Sequence, residues 1–522
     1  MSKNSSSTSL SSDDEYYGDN GEEFRGAILN NKYALIDKIG YGSYSSVWLA
    51  YCINDDKYYA IKIQNNEDYD EGLIELKILR KINELRNNNL IKLIEGFEIT
   101  KKNITKKKIK KGKRIILKKN VEIKKFICMV IPLMAGSVYS LIREGKYKNG
   151  LDNKLLKLCI NTILYSMDDM HNKLRICHTD LKPENMLISG RSVKVNELID
   201  EYNKINLKDI YNLKLKKELE TKKFNIMNIN NNKKIKILKS KILKQCHKDI
   251  LENMISLNIS ESEDDKSEIF NESANNSDSD NDNNNSESDD DNNNSDLDDD
   301  KNNSESDDDN NNSESDDDKN NSESDESVTT SENIRNEDYS VIENKYLENC
   351  NIVLTDFGSN IKISDLVNEE IQTRYYRAPE IILGLHYTEK IDIWSIGCLL
   401  YEIYTGKILF DPEKDKDFSR DFHHLFLIQE ICGKIPNNMI RKSPRKNEFF
   451  KKNKFNCDKV IKNISLESII NKKNNDYNIV SIIKKCLTID PTERPNIQDL
   501  KNIFTNFIKI YFFLLKNVLL LI

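Results

Sequence analysis

The sequence predicts an α+β fold of two lobes, a smaller β-rich lobe followed by a larger α-rich one. Three runs of β-branched and aromatic residues have the length of strands, at Tyr33–Ile39, Val47–Ile53 and Tyr58–Gln64. Apolar residues follow helical spacing at Gly72–Leu85, Asn153–His171 and Ile391–Gly406. A polar insertion separates the last two of these regions. We therefore expect one two-lobed domain with an insertion in it, rather than several domains.

The predicted boundaries follow these changes in composition. The domain spans residues 33–522, with the smaller lobe at 33–132, the larger lobe at 133–192 and 341–510, and a low-complexity spacer at 193–340. Residues 1–32 are serine-rich and acidic, and we expect them to form a disordered arm, because they carry too little apolar surface to offset the entropy of ordering.

The spacer has two parts. The first, Val193–Leu257, is rich in lysine, and its apolar residues at partial helical spacing predict short helices docked on the domain. The second repeats nine residues without apolar positions, starting with SESDDDNNN at Ser286, which predicts disorder rather than a repeat fold. Acidic residues follow Ser286, Ser304 and Ser313 in a pattern typical of acidophilic kinase sites. The spacer is therefore either phosphorylated at these serines or an inert insertion, and the sequence leaves both interpretations open.

The formal net charge of −7 averages an acidic middle region with the basic runs Lys101–Lys125 and Lys214–Lys248. The run at Lys101–Lys125 predicts a hairpin between two strands, with a nuclear-import or RNA-contacting patch at Lys106–Arg114 as the alternative. It lacks interleaved aromatic residues, so we expect no direct nucleic-acid binding. Ten cysteines lack zinc-site spacing and follow no signal peptide, which predicts reduced thiols in the cytoplasm and nucleus.

Residues 503–522 are apolar, but Lys509 and Lys516 interrupt them. A charged side chain at the centre of a bilayer is costly. We therefore expect a last helix followed by a tail packed on the larger lobe, with a membrane anchor or an incorrect gene model as alternatives.

The first motif with chemical meaning is a glycine-rich turn between two predicted strands. Its residues are candidates for nucleotide binding: Ile39, Gly40, Tyr41, Gly42, Ser43, Tyr44, Ser45, Ser46 and Val47. Glycine lets the backbone approach phosphates closely, although glycine pairs also mark ordinary hairpins. The next predicted strand holds Lys62, whose burial is expensive unless it meets phosphate and a carboxylate. Glu75, on the following predicted helix, is the candidate partner.

The remaining candidates lie on either side of the spacer. Asp180 is the candidate base that orients a substrate hydroxyl, and Lys182 can neutralise charge on the transferred phosphoryl group. Asn185 and Asp356 offer oxygen ligands for Mg²⁺. Ala378-Pro379-Glu380, Asp392-Ile393-Trp394-Ser395 and Arg494 follow in the order that phosphoryl transfer from ATP requires, and Arg494 is expected to pair with Glu380. The position of His178 indicates a packed scaffold residue, and His423-His424 are expected to begin a helix.

Taken together these motifs resemble the SR-protein kinases of the CMGC group, over Tyr33–Ile188 and Ile352–Phe504. The resemblance rests on GYGSYSSVWL at Gly40–Leu49, HNKLRICHTDLKPENML at His171–Leu187, EIQTRYYR at Glu370–Arg377 and DFSRDFHHLFLIQEICG at Asp417–Gly433, and on the dividing spacer. It implies the bilobal eukaryotic protein-kinase fold and a monomeric, ATP- and Mg²⁺-dependent serine/threonine kinase. The implied substrates are arginine/serine-rich splicing factors, through which the kinase regulates mRNA splicing.

Two departures from this pattern keep other functions open. Asp356-Phe357-Gly358-Ser359 resembles the CDC-like (LAMMER) dual-specificity kinases, which makes that family the alternative. A pseudokinase or scaffold is disfavoured by the intact Lys62 and Asp180. Arg441–Lys454 is basic where the SR-protein kinases have an acidic substrate groove. Thr179 replaces the arginine that grips an activation-loop phosphate in most kinases, so we expect activity without that phosphate.

Overall fold

The computed structural model describes residues 8–9, 24–42, 44–111, 114–143, 147–222, 229–272, 342, 344–365, 370–416, 418–457, 460–470 and 477–505. The chain divides into two compact units, Met1–Met254 with Asp338–Ile522, and Ile255–Glu337. Of the second unit the structure describes a helical backbone as far as Glu272. The first unit consists of a β-rich and an α-rich lobe, which confirms the predicted α+β fold.

In the part of the chain that the structure describes, seven strands form the sheet of the smaller lobe, in the order β1-β6-β7-β5-β4-β3-β2. They are β1 (Thr8–Ser9), β2 (Ile28–Leu29), β3 (Tyr33–Gly42), β4 (Ser45–Cys52), β5 (Lys57–Gln64), β6 (Glu95–Lys111) and β7 (Arg114–Ile131), with helix α1 (Tyr69–Glu84) between β5 and β6. The three predicted strands and the predicted helix are therefore confirmed.

β6 and β7 form one long antiparallel hairpin, which runs from Glu95 opposite Val130 to Lys111 opposite Arg114. This backbone ladder confirms the hairpin predicted for the basic run Lys101–Lys125. The alternative, a binding patch at Lys106–Arg114, stays a prediction, because the side chains of residues 103–120 lie outside the description.

The N-terminal arm ends earlier than predicted. Phe24 is 3% exposed and meets Trp48 and Phe126 edge to face, and β2 pairs with β3. The boundary at residue 32 is therefore wrong for residues 24–32. A few apolar residues after a long polar run gave too weak a periodic signal, and their burial depends on partners far along the chain.

The larger lobe and the spacer helices follow. Their elements are β8 (Met134–Ser137), α2 (Val138–Arg143), α3 (Asn153–Asp168), β9 (Ile176–Cys177), β10 (Met186–Ser189), α4 (Val193–Asn203), α5 (Leu207–Lys222), α6 (Ile229–Glu272), α7 (Asn344–Glu348), β11 (Ile352–Leu354), β12 (Ile361–Lys362), α8 (Pro379–Ile382), α9 (Lys390–Thr405), α10 (Arg420–Cys432), α11 (Asn437–Lys442), α12 (Lys446–Phe449), β13 (Phe450–Lys451), β14 (Lys454–Phe455), α13 (Leu466–Ile469) and α14 (Tyr477–Cys486). Residues 497–505 are also helical.

α9 forms the centre of the larger lobe, because every residue from Ile391 to Tyr404 is buried. β10 lies between β8 and β11, so the two halves of the chain that the spacer separates meet in one small sheet. β11 is directly followed by Thr355 and Asp356. This pairing brings Asp356 beside residues that precede the spacer.

The first part of the spacer is folded, as its apolar spacing predicted. α4, α5 and α6 bury side chains such as Tyr202 and Leu251 in one apolar cluster with Ile36, Leu49 and Ala60 of the sheet. Strand residues alternate between two faces, so these helices cover the face that also bears Lys62. The start of the spacer at Val193 therefore marks where the catalytic motifs are interrupted, and not where folded structure ends.

The predicted repeat from Ser286 and the tail beyond residue 505 lie outside the described residues. Among the helices that are described, none is both long and apolar enough to cross a membrane. All ten cysteines are free.

Candidate active site

The glycine-rich turn joins β3 to β4. Gly40 pairs with Val47, and Gly42 with Ser45, so the two strands stay in register up to the turn. A Cβ atom added at Gly42 would meet no atom within 4 Å, which leaves the backbone open to a ligand. The Ser46 hydroxyl instead turns inward and accepts a hydrogen bond of 2.9 Å from the Trp48 indole. Ser43 lies outside the described residues.

Lys62 lies between two carboxylates that come from distant parts of the chain. Its Nζ is 2.9 Å from both carboxylate oxygens of Glu75 on α1 and 2.9 Å from Oδ1 of Asp356. Burial acts to lower the pKa of Lys62, but the two carboxylates outweigh it and raise the pKa above its ordinary value. The predicted partner Glu75 is therefore in place, and the lysine carries its charge when phosphates arrive.

The positive charge of Lys62 also affects the protonation of Asp356. Burial acts to raise the pKa of its carboxyl, but Lys62 outweighs it, so the pKa lies below its ordinary value and the group is ionised. Its backbone has φ 65°, a conformation that residues other than glycine adopt at a cost of about 1–3 kcal/mol. Such strain is common at sites where a side chain must be aimed.

The catalytic loop brings Asp180, Lys182 and Asn185 together. Lys182 Nζ is 2.8 Å from Oδ2 of Asp180, and the Asn185 amide donates to the Asp180 backbone oxygen at 2.8 Å. Thr373 donates its hydroxyl to Oδ1 of Asp180 at 2.6 Å and accepts from Lys182 at 3.3 Å. A neutral hydroxyl thus already lies at the oxygen that a substrate hydroxyl would approach.

Asp392 on α9 holds this loop from below. Its buried carboxylate accepts hydrogen bonds from the backbone N–H groups of His178 and Thr179, at 2.8 and 2.9 Å, and meets the His171 ring at 2.8 Å. His171 and Asp392 are bonded to each other, and burial raises the pKa of the Cys177 thiol, so we interpret this buried trio as a packed support for the loop rather than as a metal site.

The predicted scaffold role of His178 is confirmed. It is fully buried, its Nε2 lies 3.1 Å from the Thr355 carbonyl, and its ring packs on Phe357. His423 and His424 lie in the first half of α10. Burial lowers the pKa of His424 to about 3, which marks a neutral core residue rather than a catalytic base.

The activation segment, residues 356–380, is held by contacts within the chain, and the structure describes its residues 356–365 and 370–380. Gln372 donates to the Ile391 carbonyl at 3.1 Å and to Ser395 at 2.8 Å, and its side-chain oxygen accepts from the Ala378 N–H at 2.9 Å. The Thr179 hydroxyl donates to the Ser359 carbonyl at 2.8 Å. Thr179 therefore joins the catalytic loop to this segment directly, where an arginine would need a phosphate.

The expected pair of Arg494 and Glu380 is confirmed. Both arginine NH groups reach the Glu380 carboxylate, at 2.8 and 3.0 Å, and both side chains are buried. Removing one member of a buried pair leaves the other charge uncompensated, at a cost of about 3–5 kcal/mol.

The predicted ligands suit a hard divalent cation. Asn185 uses its amide N–H groups on Asp180, and Asp356 uses Oδ1 on Lys62. Within the described ranges, Oδ1 of Asn185 and Oδ2 of Asp356 are left to bind a cation. Two oxygens of different charge, one amide and one carboxylate, fit Mg²⁺. The catalytic roles of all these side chains stay predictions, since the geometry brings them together without testing turnover.

Sequence reasoning missed Thr373, the role of Asp392 in holding the catalytic loop, and part of the apolar surface beside Lys62. Ile39, Val47 and Ala60 share one cluster with Ile131 and Leu133. Val47 pairs with Lys62 across the sheet, so part of this apolar surface lies beside the predicted nucleotide-binding residues. The glycine-rich turn already predicted Ile39 and Val47, whereas Ala60, Ile131 and Leu133 lie in or next to strands without a local motif, so only the structure could place them here.

Comparisons with known proteins agree with this geometry. The protein kinase domain family matches residues 33–200 and 342–504. A serine/threonine-protein kinase of Acanthamoeba polyphaga mimivirus is 32% identical over 91% of this chain and 87% of its own length. Human SRSF protein kinase 3 is 23% identical, over 84% of this chain and 80% of its own length.

Two further matches are more limited. The dual specificity protein kinase lkh1 of Schizosaccharomyces pombe is 41% identical, but over 22% of this chain and 16% of its own length. A crystal structure of a kinase domain superposes with a TM-score of 0.50 at 21% identity, over 92% of this chain and 97% of that one. The latter match concerns the fold alone.

Proposed function

This chain belongs to the protein kinase family, and from that premise we propose that it phosphorylates serines in arginine/serine-rich splicing factors and so regulates mRNA splicing. That it is a serine/threonine protein kinase rests on the family match and on its relatives. The observation that carries the activity is Lys62 held between Glu75 and Asp356, next to the loop of Asp180 and Asn185. ATP and a divalent cation go with the fold, and we propose Mg²⁺ as the cation.

The proposed chemistry needs few groups. The serine oxygen attacks the terminal phosphorus of ATP, the bond to the ADP oxygen breaks, and Asp180 takes the hydroxyl proton. Lys182, 2.8 Å from Asp180, is placed to neutralise charge on the phosphoryl group in transit. When bound, Mg²⁺ supplies charge neutralisation between the phosphates. Lys62 positions the phosphates that stay behind.

Two observations support the choice of substrate. The similarity to SRSF protein kinase 3 extends over most of both chains, and a spacer interrupts the catalytic motifs in this chain. A separate point concerns activation, because Thr179 and Gln372 hold the activation segment through neutral contacts. We therefore propose activity without phosphorylation of that segment.

We further propose that substrate docking differs from that of the SR-protein kinases, whose substrate groove is acidic. The surface of α11, α12, β13 and β14 carries six cations with no carboxylate partner among the described residues: Arg441, Lys442, Lys446, Lys451, Lys452 and Lys454. Such a surface repels an arginine-rich peptide. We propose that the enzyme releases its substrate after each phosphoryl transfer, rather than moving along it.

The test uses purified protein, Mg²⁺ and radiolabelled ATP. Matched peptides carry arginine–serine repeats, lysine–serine repeats, serine–proline, serine among acids, or tyrosine. We expect the arginine–serine peptide to be preferred by at least about tenfold, or about 1.4 kcal/mol in transition-state binding. A preference for serine–proline or acidic peptides would contradict the proposal. Efficient tyrosine phosphorylation would instead favour the CDC-like alternative, which the match to lkh1 and Ser359 after Gly358 support.

A further inference from the structure

The long hairpin of β6 and β7 carries a concentration of positive charge that the proposed kinase chemistry does not use. Its residues 101–125, which we call the basic ribbon, contain thirteen lysines or arginines and one glutamate, Glu122. The two strands are 17 and 18 residues long, whereas most strands have about 3–10 residues. Among the described strands, β6 pairs with β1 at residues 99–100 and β7 pairs with β5 at residues 128–131, so the basic ribbon is a two-stranded extension of the sheet.

The base of the basic ribbon is attached to the smaller lobe. Phe126, the next residue of β7, is buried. The Lys101 Nζ lies 5.4 Å from the centre of the Phe24 ring, and the Lys125 Nζ lies 3.5 Å from Oε1 of Glu98. The rest of the ribbon therefore continues outward from an ordered base.

The register places basic residues on both faces of the ribbon, because cross-strand partners share a face and consecutive residues alternate between faces. One face bears the pairs Lys101–Lys124, Lys107–Lys118 and Lys111–Arg114, and the other bears Lys106–Lys119 with Lys102, Lys108 and Lys110. Like charges directly opposite each other destabilise a strand pair. Lysines at the edge of a sheet also prevent pairing with other chains, but that role does not require lysine opposite lysine. The pattern therefore favours a polyanionic ligand that relieves the repulsion.

The dimensions of the ribbon fit a groove of B-form DNA. From Lys101 to Lys111 the strand rises about 34 Å, at about 3.4 Å per residue. One turn of the duplex is about 34–36 Å long, and its major groove is about 12 Å wide and admits a two-stranded ribbon. A ribbon that enters edge-on has one face toward each phosphate-lined wall, so cations on both faces are used. A flat anionic surface such as a membrane would meet only one face.

We propose that the basic ribbon is an arm that binds duplex DNA through its phosphates, without reading the base sequence. Neutralised phosphates release condensed counterions, which supplies the affinity. The ribbon has no aromatic residue, and aromatic side chains are what stack on the bases of a single strand. The expectation of no direct nucleic-acid binding was based on that absence, which does not argue against a duplex. An RNA duplex has a deep, narrow major groove, so the same geometry favours DNA.

The test measures binding of the full-length protein to a fluorescein-labelled DNA duplex by fluorescence anisotropy, over about 50–200 mM salt. Two variants each lose four positive charges. The ribbon variant is Lys106→Gln, Lys107→Gln, Lys118→Gln and Lys119→Gln. The control variant, on the basic surface of the larger lobe, is Arg441→Gln, Lys442→Gln, Lys451→Gln and Lys452→Gln. A third variant has arginine at the four ribbon positions and so keeps the charge.

Wild type is expected to bind the duplex with a Kd of about 1 μM or tighter at about 50 mM salt. If two of the four lysines contact phosphates, the ribbon variant should bind about 100-fold more weakly there. Its slope of log K against log salt should be smaller by about 1.8, because each lost contact removes about 0.9. The control variant and the arginine variant are expected to keep the affinity and the slope of wild type.

Equal losses in the ribbon and control variants would overturn the inference, because binding would then follow net charge alone. Equal or tighter binding of wild type to duplex RNA, single-stranded DNA, polyglutamate, or vesicles of phosphatidylcholine and phosphatidylserine would overturn it as well. Circular dichroism checks that each variant folds, and the comparison of ligands with wild type decides the matter if the ribbon variant does not. Because the readout is binding, its outcome is independent of whether arginine–serine peptides are phosphorylated.

Discussion

Acidification should loosen the spacer helices from the smaller lobe through one residue, His247 on α6. The residue is fully buried between α4 and β3. Its Nδ1 accepts a hydrogen bond of 2.8 Å from the Tyr202 hydroxyl, and its Nε2 donates to the Leu35 carbonyl at 2.8 Å. Both nitrogens are used in the neutral form. Burial lowers the pKa of His247 from 6.5 to about 4, although the bond to Leu35 acts in the opposite direction.

The direction and the size of the stability change follow from the lowered pKa of His247. Above pH 6.5 both the folded and the unfolded chain hold His247 neutral, so its contribution to stability is intact. As the pH falls below 6.5, His247 becomes protonated in the unfolded chain, whereas in the folded chain it stays neutral until about pH 4. The free energy of unfolding should therefore drop by about 2 kcal/mol between pH 7 and pH 5, and by about 3 kcal/mol at pH 4.

The assay is urea unfolding at pH 7 and pH 5, followed by tryptophan fluorescence, since Trp48 lies in the smaller lobe. His247→Gln, which keeps a donor and cannot take up a proton, should lose about 2 kcal/mol less on acidification than wild type. His386→Gln, at an exposed position, is the matched control and should lose as much as wild type. His424 is also buried, but all three proteins contain it, so its contribution to the pH dependence cancels in the comparison. Equal losses in wild type and His247→Gln would refute the reasoning.

Three further predictions concern turnover and folding. Lys62→Met and Asp180→Asn should each lower kcat by orders of magnitude in a protein that still folds; near-normal kcat in either would remove its proposed role. Phosphatase treatment should leave activity unchanged, because Thr179 and Gln372 order the segment around them; loss of activity, with mass spectrometry locating the lost phosphate there, would contradict this. Deleting residues 273–341 should keep activity and lower the KM for arginine–serine peptides at low salt, because the deleted acidic sequence can no longer attract the peptide. High salt should shrink the difference in KM between the deletion protein and wild type. An inactive deletion protein would show that the segment is structural.

The boundaries of that deletion depend on the structure. The catalytic motifs break off near Val193, so the sequence alone favours a cut there. Such a cut would remove α4, α5 and α6, and with them the apolar cover of Ile36 and Leu49. Loss of several buried side chains at about 2–5 kcal/mol each would unfold the smaller lobe.

Much of the site could be predicted because phosphoryl transfer needs particular residue types, and in the protein kinase domain these follow one another in a fixed chain order. Lys62, Asp180, Asn185 and Asp356 stand in recognisable local motifs, and each motif reads the same whether or not a spacer intervenes. The main strands and helices were equally predictable, because their apolar residues repeat with a period of two or of about 3.6. Thr179, a single letter, already indicated how the activation segment is held.

The tertiary structure alone decided which distant residues meet. The bond from Lys62 to Asp356 joins residues 294 apart, and the bond from Arg143 to Glu402 joins residues 259 apart. The placement of Thr373 on Asp180 and of His247 under Leu35 has no local signal either. Local spacing determines secondary structure, whereas burial of a charge or a hydroxyl depends on packing between elements that the chain order does not specify. For that reason the chemistry was evident from the sequence, and the internal partner of Glu402 was not.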